Sequence, residues 1–163
     1  MVAASEPATK ISLPSDREIV LTRVVNAPRA VVFEAWTKPE HVKRWWGLRH
    51  QQLSVCEIDL RPGGSWRYVL RDPNGQDFRF HGVYREVVPP SRLVYTEYFD
   101  EPSIGSPEWL TTLKFEEKDG STTLTSTVLH KSKEARDGHL QSGMEKGSAE
   151  SLDRLAEHLR TMA

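Results

Sequence analysis

The sequence predicts an α+β domain in which a curved antiparallel sheet closes its apolar face against a long C-terminal helix. Three observations carry this reading: period-two alternation through residues 51–130, short turn signals that divide that run, and an amphipathic helical stripe over 137–159. Alternation marks strands with one buried face. A sheet with one apolar face must cover it, and the last helix is the only predicted element long enough to do so.

Taken in order, residues 1–16 (MVAASEPATKISLPSD) are small and polar with two prolines and are expected to form a disordered tail, leaving 17–163 as a single domain. The β-branched run at 17–25 predicts a first strand. Pro28 suits the first turn of a helix over 28–36, and the Thr37/Glu40 spacing with Pro39 inside it predicts a capped second helix over 39–45, stopped at Gly47. Turn signals at Pro62-Gly63-Gly64, Asp72-Pro73-Asn74-Gly75, Pro89-Pro90-Ser91 and Lys118-Asp119-Gly120 then set strands at 51–60, 65–72, 77–88, 92–99, 108–117 and 121–130. The short links favour an antiparallel meander. Residues 100–107 are the least regular connection, either a solvated loop or a loop at the mouth of a pocket.

Stepping about 100° per residue, Leu140, Met144, Gly147, Ser148, Ser151, Leu152, Leu155, Leu159 and Met162 share one stripe of the last helix. Its later half is bulky. Its earlier half is small, which implies either a cavity beneath that half or a closer approach of helix to sheet.

Composition narrows the function. With 163 residues, 37% hydrophobic and 28% charged, the chain reads as one soluble globular domain. A net charge of −1 gives no electrostatic reason to expect nucleic acid or an anionic membrane as partner. The single cysteine, Cys56, excludes an intrachain disulfide, and no run approaches the ~20 apolar residues of a membrane span. The start of the chain does not have the pattern of a signal peptide, so a cytoplasmic location is expected.

Motifs for chemistry are sparse. His41, His50, His81, His130, His139 and His158 form no metal-binding spacing and read as surface or sheet-edge histidines, so no metal or other cofactor is expected. Cys56 reads as a half-buried strand residue acting as a small apolar group. Alternation turns Glu86 and Glu97 inward beside Tyr84 and Tyr95, either as partners of an arginine such as Arg67 or Arg85 or as acid–base groups. The aromatic residues concentrate on the strands and the second helix, where they build a core and would offer polar tips to a bound molecule.

Several stretches together resemble a known family: residues 26–47 (NAPRAVVFEAWTKPEHVKRWWG), 59–64 (DLRPGG), 82–90 (GVYREVVPP) with 92–96 (RLVYT), 132–137 (SKEARD) and 142–145 (SGME). They are similar to members of the heat-shock-protein-90 ATPase activator homologue family, within the START-like, SRPBCC or polyketide cyclase-like helix-grip superfamily, which also holds the Bet v-like folds. The likeness covers about 17–159. It implies a seven-stranded curved antiparallel sheet wrapped around a long C-terminal helix, with a hydrophobic tunnel between them. The eukaryotic activators that name the family carry an additional N-terminal chaperone-binding domain, for which this chain has no room.

The expected function is therefore non-catalytic binding of a small apolar or aromatic molecule between sheet and helix. The expected lining is Trp46, Trp66, Tyr68, Phe80, Tyr84, Tyr95, Trp109, Met144, Ser148 and Leu152. The alternatives are an enzyme of the polyketide cyclase/dehydratase type, using Glu86, Glu97 or His81, and a heat-shock-protein-90 co-regulator that binds the chaperone. A monomer and a homodimer both agree with the sequence.

Overall fold

The computed structural model describes residues 8–100 and 107–162. Among them the strands are β1 (Lys10–Ser12), β2 (Glu18–Val25), β3 (Gln52–Ile58), β4 (Ser65–Arg71), β5 (Asp77–Val88), β6 (Arg92–Phe99), β7 (Glu108–Lys118) and β8 (Ser121–Leu129). The helices are α1 (Arg29–Thr37), α2 (Pro39–Trp45), α3 (Lys133–Gln141) and α4 (Met144–Thr161). The strands form one antiparallel sheet in the order β1-β2-β8-β7-β6-β5-β4-β3. From β3 to β8 this is the expected meander, and β2 closes against β8 in an eight-residue register from Glu18↔Leu129 to Val25↔Thr122.

The sheet has eight strands where seven were expected. The added strand, β1, lies within the segment read as a tail and pairs Ile11 with Leu21. Ile11 packs against Ile19, Trp109 and Val128, so one apolar side chain anchors a strand too short to show alternation. Residues 1–7 of that tail, and 101–106 of the irregular connection, lie outside the described residues.

Pro28 caps α1 with extended backbone, and α1 buries Val32, Phe33, Ala35 and Thr37. The capping box expected from Thr37 and Glu40 does not form. Thr37 Oγ1 instead donates back to the Phe33 carbonyl at 2.7 Å, and Lys38 occupies the N-cap of α2. Trp45 donates its indole N–H to the Ala35 carbonyl at 3.0 Å and fixes the angle between the two helices. Gly47, at φ +99°, turns the chain out of α2 as its position implied.

The C-terminal helix is two helices. Ser132 accepts from the Ala135 N–H at 3.0 Å and starts α3. The backbone then folds over Ser142, and Gly143, at φ +87°, caps α4. The bulky stripe behaves as its periodicity requires, with Leu152, Leu155, Ala156 and Leu159 buried among Val25, Leu93, Leu113, Phe115 and Leu124. Each such leucine stabilises the fold by roughly 1.5–3 kcal/mol through burial. Arg23, 2% exposed on β2, reaches Asp153 of α4 at 2.5 Å and pins helix to sheet on the other side.

The small half of the stripe has a different cause from the cavity considered above. The segment that leaves α2 crosses α4 at close range. Gly47 N–H donates to Ser151 Oγ at 2.7 Å, and Arg154 Nη1 donates to the Gly47 and Leu48 carbonyls at 2.9 and 3.1 Å. A Cβ at Gly147 would meet Leu48 at 3.8 Å. The small residues accommodate a backbone crossing.

Candidate functional site

The enclosed space lies away from α4, where β4, β5 and β6 face the ends of α1 and α2. Its walls are Trp36, Trp46, Trp66, Tyr68, Tyr84, Leu93, Tyr95 and Glu97. Atom-free space here amounts to about 300 Å³ with the solvent at the mouth included, yet the interior admits only about 20 Å³, room for one water-sized group.

The strands place these rings by simple periodicity. Trp66 and Tyr68 are two apart on β4 with centroids 4.8 Å apart, and Leu93, Tyr95 and Glu97 repeat on β6. Tyr84 is opposite Tyr95 at 6.0 Å, and Trp46 lies edge-on to Tyr68 at 4.9 Å. Edge-to-face arrangements at these separations are the favourable ones for aromatic pairs.

Gly82 makes the arrangement possible. It is opposite Trp66 in the ladder, and a Cβ there would fall 1.7 Å from the Thr96 carbonyl oxygen and 2.7 Å from Trp66 Nε1. Without a side chain, the Trp66 indole passes over β5 and donates to the Thr96 carbonyl at 3.2 Å. The backbone just beyond is irregular: the register shifts between Tyr84 and Glu86. That bulge keeps Tyr84 and Val87 inward but turns Glu86 out, where it is exposed and meets Arg92 at 3.3 Å. The expectation that Glu86 faces inward is thereby overturned, and its partner is neither Arg67 nor Arg85.

Glu97 does face inward. Burial pushes its carboxyl up to about 7, against which the Trp109 side chain supplies a hydrogen bond that favours the ionised form. No lysine, arginine or histidine lines the cleft among the described residues. The residues outside the description, MVAASEP, EPSIGS and the final alanine, contain none either. Burial also raises the Tyr68, Tyr84 and Tyr95 hydroxyls, and Tyr95 is hydrogen-bonded by the Trp36 side chain. The site is a set of neutral polar tips and one acid inside an aromatic wall.

Of the ten expected lining residues, Trp46, Trp66, Tyr68, Tyr84 and Tyr95 meet at the cleft. Phe80 stands behind Trp46, with centroids 5.1 Å apart. Leu152 is buried in the main core, and Trp109 and Met144 belong to the separate cluster around Ile19 and Val128. Ser148 is half-buried on α4 and does not line the cleft. Trp36, at the end of α1, and Leu93, on β6, also line the cleft and are not among the ten.

The histidines are not all peripheral, because two pairs join separate elements. His130, 1% exposed, meets His139 ring to ring with Nε2 and Nδ1 2.9 Å apart, and Trp109 stacks on His139 at 4.4 Å. Burial and the neighbouring ring hold His139 down to about 4. His41 and His158 pair likewise at 3.0 Å between α2 and α4. His81 is on the outer side, stacked on Tyr98 at 4.9 Å and 3.8 Å from Asp100. Cys56 is half-buried, and burial pushes its thiol up to about 11, so it is no nucleophile at neutral pH. Among the described residues no group of three or more His, Cys, Asp or Glu is arranged to hold a metal ion, and no helix is long and apolar enough to cross a membrane.

Residues 26–160 match the model of the family described as activator of Hsp90 ATPase homolog 1-like protein. The chain belongs to this family. Solved structures agree with the assignment. A Rhodobacter sphaeroides protein superposes with a TM-score of 0.89 at 26% identity, covering 95% of this chain and 99% of its own. A Staphylococcus epidermidis protein gives a TM-score of 0.80 at 28% identity, with 94% of each chain covered. The AHSA1 protein of Silicibacter pomeroyi, at 19% identity, a TM-score of 0.74 and coverage of 90% and 99%, shares the fold. No curated protein matches the chain. Family membership places the domain in the START-like helix-grip superfamily, with eight strands here in place of seven.

Proposed function

We propose that this domain binds a small molecule in the aromatic cleft around Glu97 and performs no covalent chemistry on it. The observation that carries the reading is the cleft's composition: one inward carboxyl among Trp36, Trp46, Trp66, Tyr68, Tyr84 and Tyr95. A few polar groups set in an apolar wall are what a recognition site needs. The interior in its present form takes one water-sized group, so a larger ligand enters with its bulk at the mouth or displaces Trp46. That ring is half-buried just past α2 and is held by edge contacts to Tyr68 and Phe80.

An enzyme of the cyclase type would need a second proton-transfer group within reach of Glu97. Glu86 and His81 lie on other surfaces, and the cleft tyrosines are weakened as acids by burial. Binding is therefore the better supported reading. The test is an NMR fragment screen read at the indole N–H signals. Binders are expected to move Trp36, Trp46 and Trp66 together; binders that leave these three unmoved, or no binders at all, contradict the proposal.

A further inference from the structure

We infer that the cleft selects ligands bearing a primary ammonium group, with the head seated between the Glu97 carboxylate and the Tyr68 and Tyr84 hydroxyls. The inference rests on the binding function proposed above and goes further by naming the charge and size of what is bound.

Three observations converge. The first is charge. Glu97 is an acid turned into an apolar enclosure with no basic side chain on the walls among the described residues, so a cationic ligand supplies the neutralising charge that these walls do not. On the surface of this domain Glu57, Asp59, Asp77 and Glu86 each meet an arginine. Glu97 is answered by an indole N–H instead.

The second is the wall. Trp46, Trp66, Tyr68, Tyr84 and Tyr95 surround the space, and aromatic faces attract cations through the ring quadrupole. An anionic head would meet the same rings and a carboxylate with nothing to offset the repulsion.

The third is size and valence. About 20 Å³ admits a group as large as water, and –NH3+ is such a group, whereas a trimethylammonium head is several times larger. An ammonium carries three N–H donors. Glu97 supplies one acceptor, and among the described residues the Tyr68 and Tyr84 hydroxyls have no protein hydrogen bond and line the same space. Three acceptors and three donors then match.

The titratable groups that face Glu97 are Tyr68 on β4, Tyr84 on β5 and Tyr95 on β6, all held neutral by burial near pH 7. Cation binding therefore draws the proton from Glu97 alone. An acid midpoint of about 7 means that loading at pH 7 releases about half a proton per ligand.

The test uses the full chain and four benzyl probes: benzylammonium, benzyl alcohol, benzoate and benzyltrimethylammonium. Binding is followed by the indole signals and by calorimetry in two buffers of different ionisation enthalpy. Benzylammonium is expected to bind at least 10-fold tighter than the other three, to tighten between pH 6 and 8, and to release protons. Glu97→Gln is expected to weaken it by at least about 10-fold, as loss of one member of a buried charge pair does. Tyr84→Phe, which removes one acceptor, is expected to weaken it by about 5-fold. Benzyl alcohol or benzoate binding as well as benzylammonium while moving Trp36, Trp46 and Trp66, or Glu97→Gln leaving benzylammonium affinity unchanged, overturns the ammonium assignment and leaves the cleft as a site. Failure of all four probes to move those signals overturns the ammonium assignment and the binding function together.

Discussion

Replacing Glu97 by glutamine should stabilise the protein, and the gain should depend on pH in a way that no surface carboxylate would produce. The carboxyl rises from 4.5 in the unfolded chain to about 7 in the folded one, so folding favours its protonated form. Below pH 4.5 the residue is protonated in both states and costs nothing. As pH rises from 4.5 through 7 the folded protein loses stability, because ionisation is easier in the unfolded chain. A shift of this size corresponds to about 3 kcal/mol, an upper limit because the side chain is only half-buried by area. Glutamine carries no such penalty, and its carbonyl can still accept from the Trp109 indole. The variant should match the wild type near pH 4.5 and exceed it by up to about 3 kcal/mol at pH 8, which in a domain of this size moves Tm by roughly 6–12 °C. Urea unfolding of ligand-free protein at half-unit pH steps reads this directly. Parallel stability curves from pH 4.5 to 8 would refute the desolvated carboxyl and the reasoning built on it.

Other expectations follow from the same geometry. Gly82→Ala must displace the Thr96 carbonyl and crowd the Trp66 indole as well, and should cost about 1–3 kcal/mol in unfolding free energy, whereas Gly138→Ala, on α3 with nothing within 4 Å, should gain about 0.5–1 kcal/mol. His139, held down to about 4, favours the folded state above pH 6.5 and loses that contribution as pH falls from 6.5 to 4. A His139→Gln variant should therefore lose less stability than the wild type over that window, by up to about 3 kcal/mol in acid-unfolding curves. Asp153→Ala removes one of the partners of the buried Arg23 and should cost about 1.5–3 kcal/mol by urea melts.

The strands were legible because period two and turn chemistry are local signals. Trp66, Tyr68, Tyr95 and Glu97 share a face by counting alone. What counting does not carry is interruption. One extra residue at Arg85 reversed Glu86 relative to the alternation that Tyr84 obeys. The left-handed Gly143 cut a helix whose apolar stripe runs on through the break, since Leu140 and Met144 join the same cluster on either side of it. A three-residue strand with one apolar side chain was too short to register.

The site was half legible for a related reason. A shared face does not say which end of a curved sheet a residue occupies, so Trp109 and Met144 were grouped with a cleft they do not line. Small residues on α4 had two readings, and the structure chose the crossing of Gly47 over a void. Pairs such as His130 with His139, and His41 with His158, depend on tertiary closure and leave no trace in spacing.

The most direct measurement of the central claim is the titration of the Glu97 carboxyl carbon by NMR, in free protein and in protein saturated with benzylammonium. The free protein should show a midpoint near 7, and the loaded protein a midpoint well below that of an ordinary glutamate. A free midpoint near 4.5 that benzylammonium does not move would contradict it.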